Sequence, residues 1–450
     1  MKIAILGYGK EGKAAEKYFA AKGDEVKIYD NFTTEQLKEA DFSEFDLVLR
    51  SPSVKPIGNW SSVTEYFFEN CPCPIIGVTG TKGKGTTCSF IQSILEALGQ
   101  RAYLVGNIGV PAIEILDDLK PLDAVVYEMS SFQLWDLQCS PHIAVVLGIE
   151  PDHLNVHDDF EDYMNAKANI VRFQDEEDYC VYNAKNEVAT EIAGISLGET
   201  VGYPEEKVDK KTSLVSRDEE GDLKLFATTE TPTKLAEVLD YIMIPGQHNR
   251  DNAEAAVKAV AAFLDLDVEE FLERYFYAVA EGIADFSGLP HRLEFLKEKN
   301  GVKYYDDNFS TNPASTRVAV EAFPGESVVL IAGGRDKTDF EDLDEVFETL
   351  TAENVKNVVL IGESGREIMR RVGAGEFEMT EEMREEILRG RFILAESLED
   401  AVKMAADSGE EIAKTAGSAV VLMSPAAASF DMFENVYDRG DKFKKLIFKN

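Results

Sequence analysis

The chain has 450 residues and a formal net charge of −37, from 46 basic and 83 acidic side chains. Nucleic acid is disfavoured as a partner, because a polyanion is held by a basic footprint and none is present. The length exceeds a single core and points to two or three domains. No apolar run reaches the roughly 18–20 residues of a membrane span. The opening MKIAILGYGKEGKA has no small-residue cleavage site, so no signal peptide is expected. The five cysteines (71, 73, 88, 139 and 180) form no metal-spaced pair of pairs, and their odd number predicts reduced thiols in the cytoplasm. Cys71 and Cys73 flank a proline and are not read as a redox pair.

Residues 1–70 predict a strand at Lys2–Leu6, a turn Gly7-Tyr8-Gly9-Lys10-Glu11-Gly12, a helix ending near Gly23, and a strand Glu25–Tyr29 closed by Asp30. A G-x-G-x-x-G turn with an acid about twenty residues on is the dinucleotide fingerprint. A third strand, Asp46–Leu49, leads into Arg50-Ser51-Pro52-Ser53. The unit is half-sized, enough for one nucleotide's pyrophosphate over Gly9–Gly12. Cys71-Pro72-Cys73-Pro74 reads as a stiff linker.

Residues 75–98 are the stretch around which the rest of the chain is organised. Ile75–Thr79 predicts a buried parallel strand. The turn Gly80-Thr81-Lys82-Gly83-Lys84-Gly85-Thr86-Thr87 then opens a helix that stops at Gly99. Backbone amides, the helix dipole and Lys84 suit a nucleotide phosphate there, with a Thr86 or Thr87 hydroxyl on Mg²⁺. The match to GxxxxGK[ST] is incomplete, with Val78 in the first glycine position and Gly85 after the lysine. Further strands are predicted at Ala102–Val105, Ala124–Glu128, Ile143–Ile149 and Tyr179–Tyr182, alternating with helices. Residues 195–235 read as a small antiparallel excursion, and a helix is predicted from Asn249 to Phe263. After a boundary at Ser287–Pro290, the rhythm resumes with strands at Lys303–Asp306, Ser327–Ala332, Asn357–Ile361, Arg391–Leu394 and Ala419–Met423. Three α/β domains are expected: Rossmann-like 1–72, a P-loop ATPase-type parallel sheet 73–288, and Rossmann-like 289–450.

Polar residues cluster just past strands, where open α/β sheets bind ligands. Glu128 fits an Mg²⁺ ligand beside the phosphate loop, or a strand-end acid capping a helix. His153 is followed four residues on by His157, but Pro151 and a loop-like context argue against a zinc pair, and an oxygen-rich Mg²⁺ or Mn²⁺ site suits better. Lys167 by itself reads as a solvated helix lysine. Asn249 and Asn252 sit at a helix start. Arg292 offers a planar fork for a phosphate.

Together the stretches GVTGTKGKGTT (77–87), GNIGVP (106–111), EMSSFQL (128–134), EPDHLN (150–155), NAKANIV (165–171), GQHNRDNA (246–253), LPHRLE (289–294), DDNFSTNP (306–313), GGRDK (333–337) and SPAAASFDMFENVYDRG (424–440) resemble the Mur ligase family. These enzymes form amide bonds of peptidoglycan precursors at the expense of ATP, and the chain most resembles the branch that adds D-glutamate to UDP-N-acetylmuramoyl-L-alanine. The resemblance implies that Gly9, Lys10, Glu11, Gly12, Asp30, Asn31 and Ser51 meet the UDP moiety, with Asn107 and His153 toward the muramoyl end. It implies ATP at Gly80–Thr87, Asn249, Asn252, Arg292 and Asp307. Two Mg²⁺ ions, with Mn²⁺ as a substitute, would be held by Thr86, Glu128, His153 and Lys167, the last as a carbamate. Thr311, Lys337 and Ser429 would take the amino acid. It implies a monomer. A Mur-type ligase for another amino acid, or one like folylpolyglutamate synthase, is the nearest alternative. An NAD-dependent oxidoreductase would leave Lys84, Glu128 and Arg292 idle, and a non-catalytic nucleotide sensor would release no phosphate.

Overall fold

The computed structural model describes residues 1–205, 215–217, 223–225, 234–336 and 340–449. Three α/β sheets dominate. The first is parallel in the order β2-β1-β3-β4 and comprises β1 (Lys2–Leu6), β2 (Glu25–Tyr29), β3 (Leu47–Arg50) and the two-residue β4 (Ser61–Ser62). The second is six parallel strands in the order β10-β9-β8-β5-β7-β6. Its members are β5 (Ile75–Thr79), β6 (Ala102–Gly106), β7 (Ala124–Glu128), β8 (Ile143–Val146), β9 (Tyr179–Asn183) and β10 (Glu199–Tyr203). A hairpin of β11 (Val215–Arg217) and β12 (Leu223–Leu225) comes next along the chain.

The third sheet has the order β13-β14-β18-β15-β16-β17, with only β13 antiparallel. It contains β13 (Glu294–Lys299), β14 (Val302–Asp306), β15 (Val328–Gly333), β16 (Val355–Ile361), β17 (Phe392–Leu394) and β18 (Ala419–Met423). Every residue of β5, β7, β8, β15 and β18 is buried, as expected for strands covered by helices on both faces.

The chain divides into two compact units. One spans 1–242 with 248–286, and the other 243–247 with 287–450. In the first unit the helix Val63–Asn70 sends Phe67 into the core of the second sheet, 5.8 Å from the Tyr127 ring. The two sheets of that unit therefore share apolar packing. The apolar run expected to Ile149 leaves strand geometry at Val146, because Gly148 turns its carbonyl to the Thr81 N–H (2.9 Å). Of residues 195–235, read as an antiparallel excursion, only the β11–β12 hairpin is antiparallel among the described residues, while β10 joins β9 in parallel as a half-exposed edge; β13, an edge rich in Lys and Glu, is not evident from the sequence pattern. Among the described residues no helix is long and apolar enough to cross a membrane.

Candidate active site

In the first unit β7, β5 and β8 are neighbours, and the loops from their carboxyl ends converge. After β5, Gly80 (φ +149°) and Gly83 (φ +85°) take conformations that side chains resist. Gly83 caps the helix Lys84–Ala97 in the left-handed region, and a Cβ there would lie 2.6 Å from Asn252 Oδ1. The Lys84 ammonium folds over the turn, donating to the Gly80 (3.0 Å) and Thr81 (3.1 Å) carbonyls. The Thr81 hydroxyl binds the Glu150 carbonyl and N–H (3.0 and 2.9 Å), tying this turn to the loop after β8. Lys82 is exposed and Thr86 half-buried, while Thr87 Oγ1 is buried without a partner. Asn249 and Asn252 are both buried in the helix Gln247–Phe263.

Glu128 ends β7 and is buried. Its Oε1 accepts from Asn107 Nδ2 (2.9 Å), and its Oε2 has no partner. Asn107 is also held by its own N–H to the Glu128 carbonyl (3.1 Å), so it buttresses this carboxylate. Helix capping is not Glu128's role, since Ser130 and Gln133 form the capping box of the short helix Ser131–Leu134.

Lys167, which by itself reads as a solvated lysine, is instead buried. The helix Phe160–Arg172 points it at the phosphate loop, where Nζ donates to Gly80 O (3.0 Å) and Thr79 Oγ1 (3.2 Å). Burial pushes its ammonium well below the usual range. The Lys84 charge adds to that fall, while Asp152 and Glu128 oppose it. His153 (φ +55°) is exposed, its ring 5.1 Å from Phe132. His157 is buried and bonded elsewhere, so the two imidazoles do not pair.

The first sheet presents Gly9 and Lys10 to solvent above β1, with Asp30 and Asn31 exposed after β2. Asp30 Oδ1 accepts from the Tyr8 N–H (3.0 Å) and Oδ2 from Asn31 Nδ2 (3.0 Å). A Cβ on Gly12 would meet the Gly7 carbonyl at 2.1 Å. Ser51 is buried, its hydroxyl 2.9 Å from that of Ser53. Glu11 is tied to the helix Ser131–Leu134: Oε1 accepts from Gln133 Nε2 (2.6 Å), Oε2 is enclosed without a partner, and burial raises its carboxyl to about 7. Arg50, which no motif singles out, is fully buried and clamps Asp136 through Nε (2.6 Å) and the Phe132 carbonyl (3.1 Å).

The second unit gathers its loops at the carboxyl ends of β14, β18, β15 and β16. His291 and Leu293 both have positive φ, and the turn they make leaves Arg292 exposed over the Phe309 ring. Asp307 braces that turn: Oδ1 accepts from the Leu293 N–H (3.2 Å) and Oδ2 from the Ser424 hydroxyl (2.7 Å). Burial raises its carboxyl to about 7. A cleft is lined by Thr311, Arg335, Asp336, Ser364 and Ala426. Ser429 is buried with an unpartnered hydroxyl. Lys337 lies outside the described residues. Arg439, also unforeseen, is buried and holds the Ala427 and Ala428 carbonyls (3.1 and 3.2 Å).

Residues 78–260 match the Mur ligase middle domain and residues 291–426 the Mur ligase, glutamate ligase domain. The UDP-N-acetylmuramoylalanine--D-glutamate ligase of Acetivibrio thermocellus is 35% identical over 99% of this chain and 96% of its own. The chain belongs to the Mur ligase family. It is an ATP-dependent amide ligase. The ligase of the same name from Clostridium kluyveri is 32% identical over 99% of this chain and 96% of its own. The solved UDP-N-acetylmuramate-alanine ligase of Thermotoga maritima, 19% identical, superposes with a TM-score of 0.53 over 100% of this chain and 99% of its own, a likeness of fold.

The residues of this ligase at the turn after β5 suit a hard cation. Glu128 Oε2 is a buried carboxylate oxygen without a donor, Thr87 Oγ1 a buried hydroxyl without one, and Lys84 and Lys167 converge on the same turn. Buried polar atoms are rarely left unpaired unless something else meets them, and oxygen ligands are what Mg²⁺ takes.

Proposed function

We propose that this ligase adds D-glutamate to UDP-N-acetylmuramoyl-L-alanine through an acyl phosphate. The observation that carries the reading is the meeting of a phosphate-type turn, an unpartnered buried carboxylate oxygen and a buried lysine at the ends of β5, β7 and β8. The names of the full-length relatives supply the acceptor.

In this reading the L-alanyl carboxylate attacks the γ-phosphorus. A carboxyl O–P bond forms, the β–γ P–O bond breaks, and ADP leaves. The ammonium of D-glutamate gives one proton to solvent, the free amine bonds the acyl carbon, and as the C–O bond to phosphate breaks the nitrogen's second proton leaves with the departing phosphate. Both partners of the first step are anions. Lys84 and the loop amides offset that repulsion. Mg²⁺, when bound, neutralises charge on the phosphates and the attacking carboxylate. Thr86, Glu128, His153 and Lys167 would hold it.

Lys167 acts as a carbamate. Its depressed basicity provides a neutral amine that can add CO₂ with release of a proton, and the product is an anion within electrostatic reach of Glu128. Gly80–Thr87, Asn249 and Asn252 contact ATP; in the second unit Asp307 braces the turn that carries Arg292, a phosphate-binding side chain. Gly9–Gly12, Asp30, Asn31 and Ser51 take the UDP group in a first domain of residues 1–72. Residues 73–288 form the ATP domain. Thr311, Lys337 and Ser429 in residues 289–450 receive D-glutamate. The enzyme works as a cytoplasmic monomer.

An acceptor screen tests this. Phosphate release should require UDP-N-acetylmuramoyl-L-alanine together with an amino acid, and D-glutamate should far exceed L-lysine or diaminopimelate. Equal rates with all three would remove the acceptor assignment.

A further inference from the structure

His157 lies at the centre of a buried relay. Its Nε2 is 3.0 Å from the Ser131 hydroxyl and its Nδ1 2.9 Å from Asp162 Oδ2. A carboxylate can only accept, so Nδ1 carries a proton to Asp162 and Nε2 faces the Ser131 hydroxyl. Asp162 Oδ1 also accepts from Trp135 Nε1 (3.1 Å) and Oδ2 from the Asp158 N–H (3.2 Å). The imidazole stacks on Phe132, with centroids 5.4 Å apart and planes 12° from parallel, and packs edge-on against Tyr163 at 5.3 Å.

The order of Ser, His and Asp resembles a hydrolase triad, but Ser131 and His157 are both buried and no substrate reaches the hydroxyl. What the relay joins is more telling. Ser131 stands three residues after Glu128, His157 four after His153, and Asp162 five before Lys167 on the same helix. Tyr163, beside the imidazole, places its hydroxyl 3.1 Å from that of Thr81 in the phosphate turn. One side chain thus touches each of the three segments that carry a proposed cation ligand, and a ring next to it touches the fourth. Outer-shell partners of this kind fix the orientation of the groups that bind a metal.

We infer that His157 is a positioning residue: through Ser131 and Asp162 it sets the mutual placement of Glu128, His153 and Lys167 for binding a divalent cation with a nucleoside triphosphate. The inference rests on the cation reading given under Proposed function. Loss of an outer-shell partner typically weakens metal binding by about 10–100-fold.

The test is a Mn²⁺ titration, followed by electron paramagnetic resonance, of the full chain with a non-hydrolysable ATP analogue. His157→Phe keeps the ring stacking and removes both hydrogen bonds. It should weaken Mn²⁺ binding by about tenfold or more and lower kcat, while KM for the UDP substrate stays within about twofold. His157→Asn, which can still donate to Asp162, should recover part of the loss. A folded His157→Phe protein that binds Mn²⁺ as tightly as the parent overturns the inference. If His157→Phe does not fold, Ser131→Ala decides by the same two results. Glu128→Gln separates the layers: if it weakens Mn²⁺ binding and the relay variants do not, the relay alone falls, and if it too has no effect, the cation reading falls and takes the relay with it.

Discussion

At the scale of single residues, burial holds both Lys167 and Glu11 of the first unit toward their neutral forms, by pKa shifts in opposite directions. Lys167 is held toward its neutral form inside a site whose proposed role needs an anion. Lys167→Ala should therefore abolish phosphate release, and added acetate should restore part of it by supplying the missing negative charge; a variant indifferent to acetate would remove the carbamate. Glu11 is the converse case. Its carboxyl titrates near 7 in the fold against 4.5 in the free side chain, so between those values the native state holds a proton that the unfolded chain has released. Stability from this group is present below about pH 4.5 and is lost as pH rises toward 7. Glu11→Gln should flatten that part of the melting-temperature profile and raise the melting temperature at pH 8; a parallel profile would show the group to be better solvated than its enclosure implies.

At the scale of elements, the strands best written in the sequence are those with continuous apolar runs between turn residues. β5, β7 and β18 need nothing from their partners to be recognised, since burial on both faces demands such runs. β10 and β13 are edges, where charge is tolerated and the signal fades. The phosphate turn is legible because glycine and lysine at such spacing have few other uses. Lys167 is not: a lysine in a helix looks solvated until the fold places its helix over β5. Arg50, His157 and Arg439 are hidden for a related reason, each being paired with residues about 80, 26 and 131 positions away. The turn itself yields a prediction. Gly83 has φ +85° and faces Asn252 Oδ1, so Gly83→Ala should cost about 1–2 kcal/mol in backbone strain alone. Calorimetric titration should show ATP affinity falling by about tenfold, with UDP-substrate affinity intact; loss of both would place the two ligands on one element.

At the scale of the whole molecule, a net charge of −37 is a standing repulsion that folding concentrates. Raising ionic strength screens it within a few ångströms, so the melting temperature should climb from low salt to about 0.5 M NaCl. A fall would mean that specific ion pairs, such as Arg50 with Asp136, outweigh the general field. The same excess of acid means that, in the proposed reading, an anionic substrate depends on the few cations placed for it, Lys84 in the turn after β5 among them. The central claim is that a carboxylate is activated there by a phosphoryl group from ATP. The most direct measurement uses UDP-N-acetylmuramoyl-L-alanine labelled with ¹⁸O in its carboxylate, turned over with ATP and D-glutamate, with mass analysis of the phosphate released. An acyl phosphate transfers one labelled oxygen to each phosphate; phosphate released without label would contradict the account.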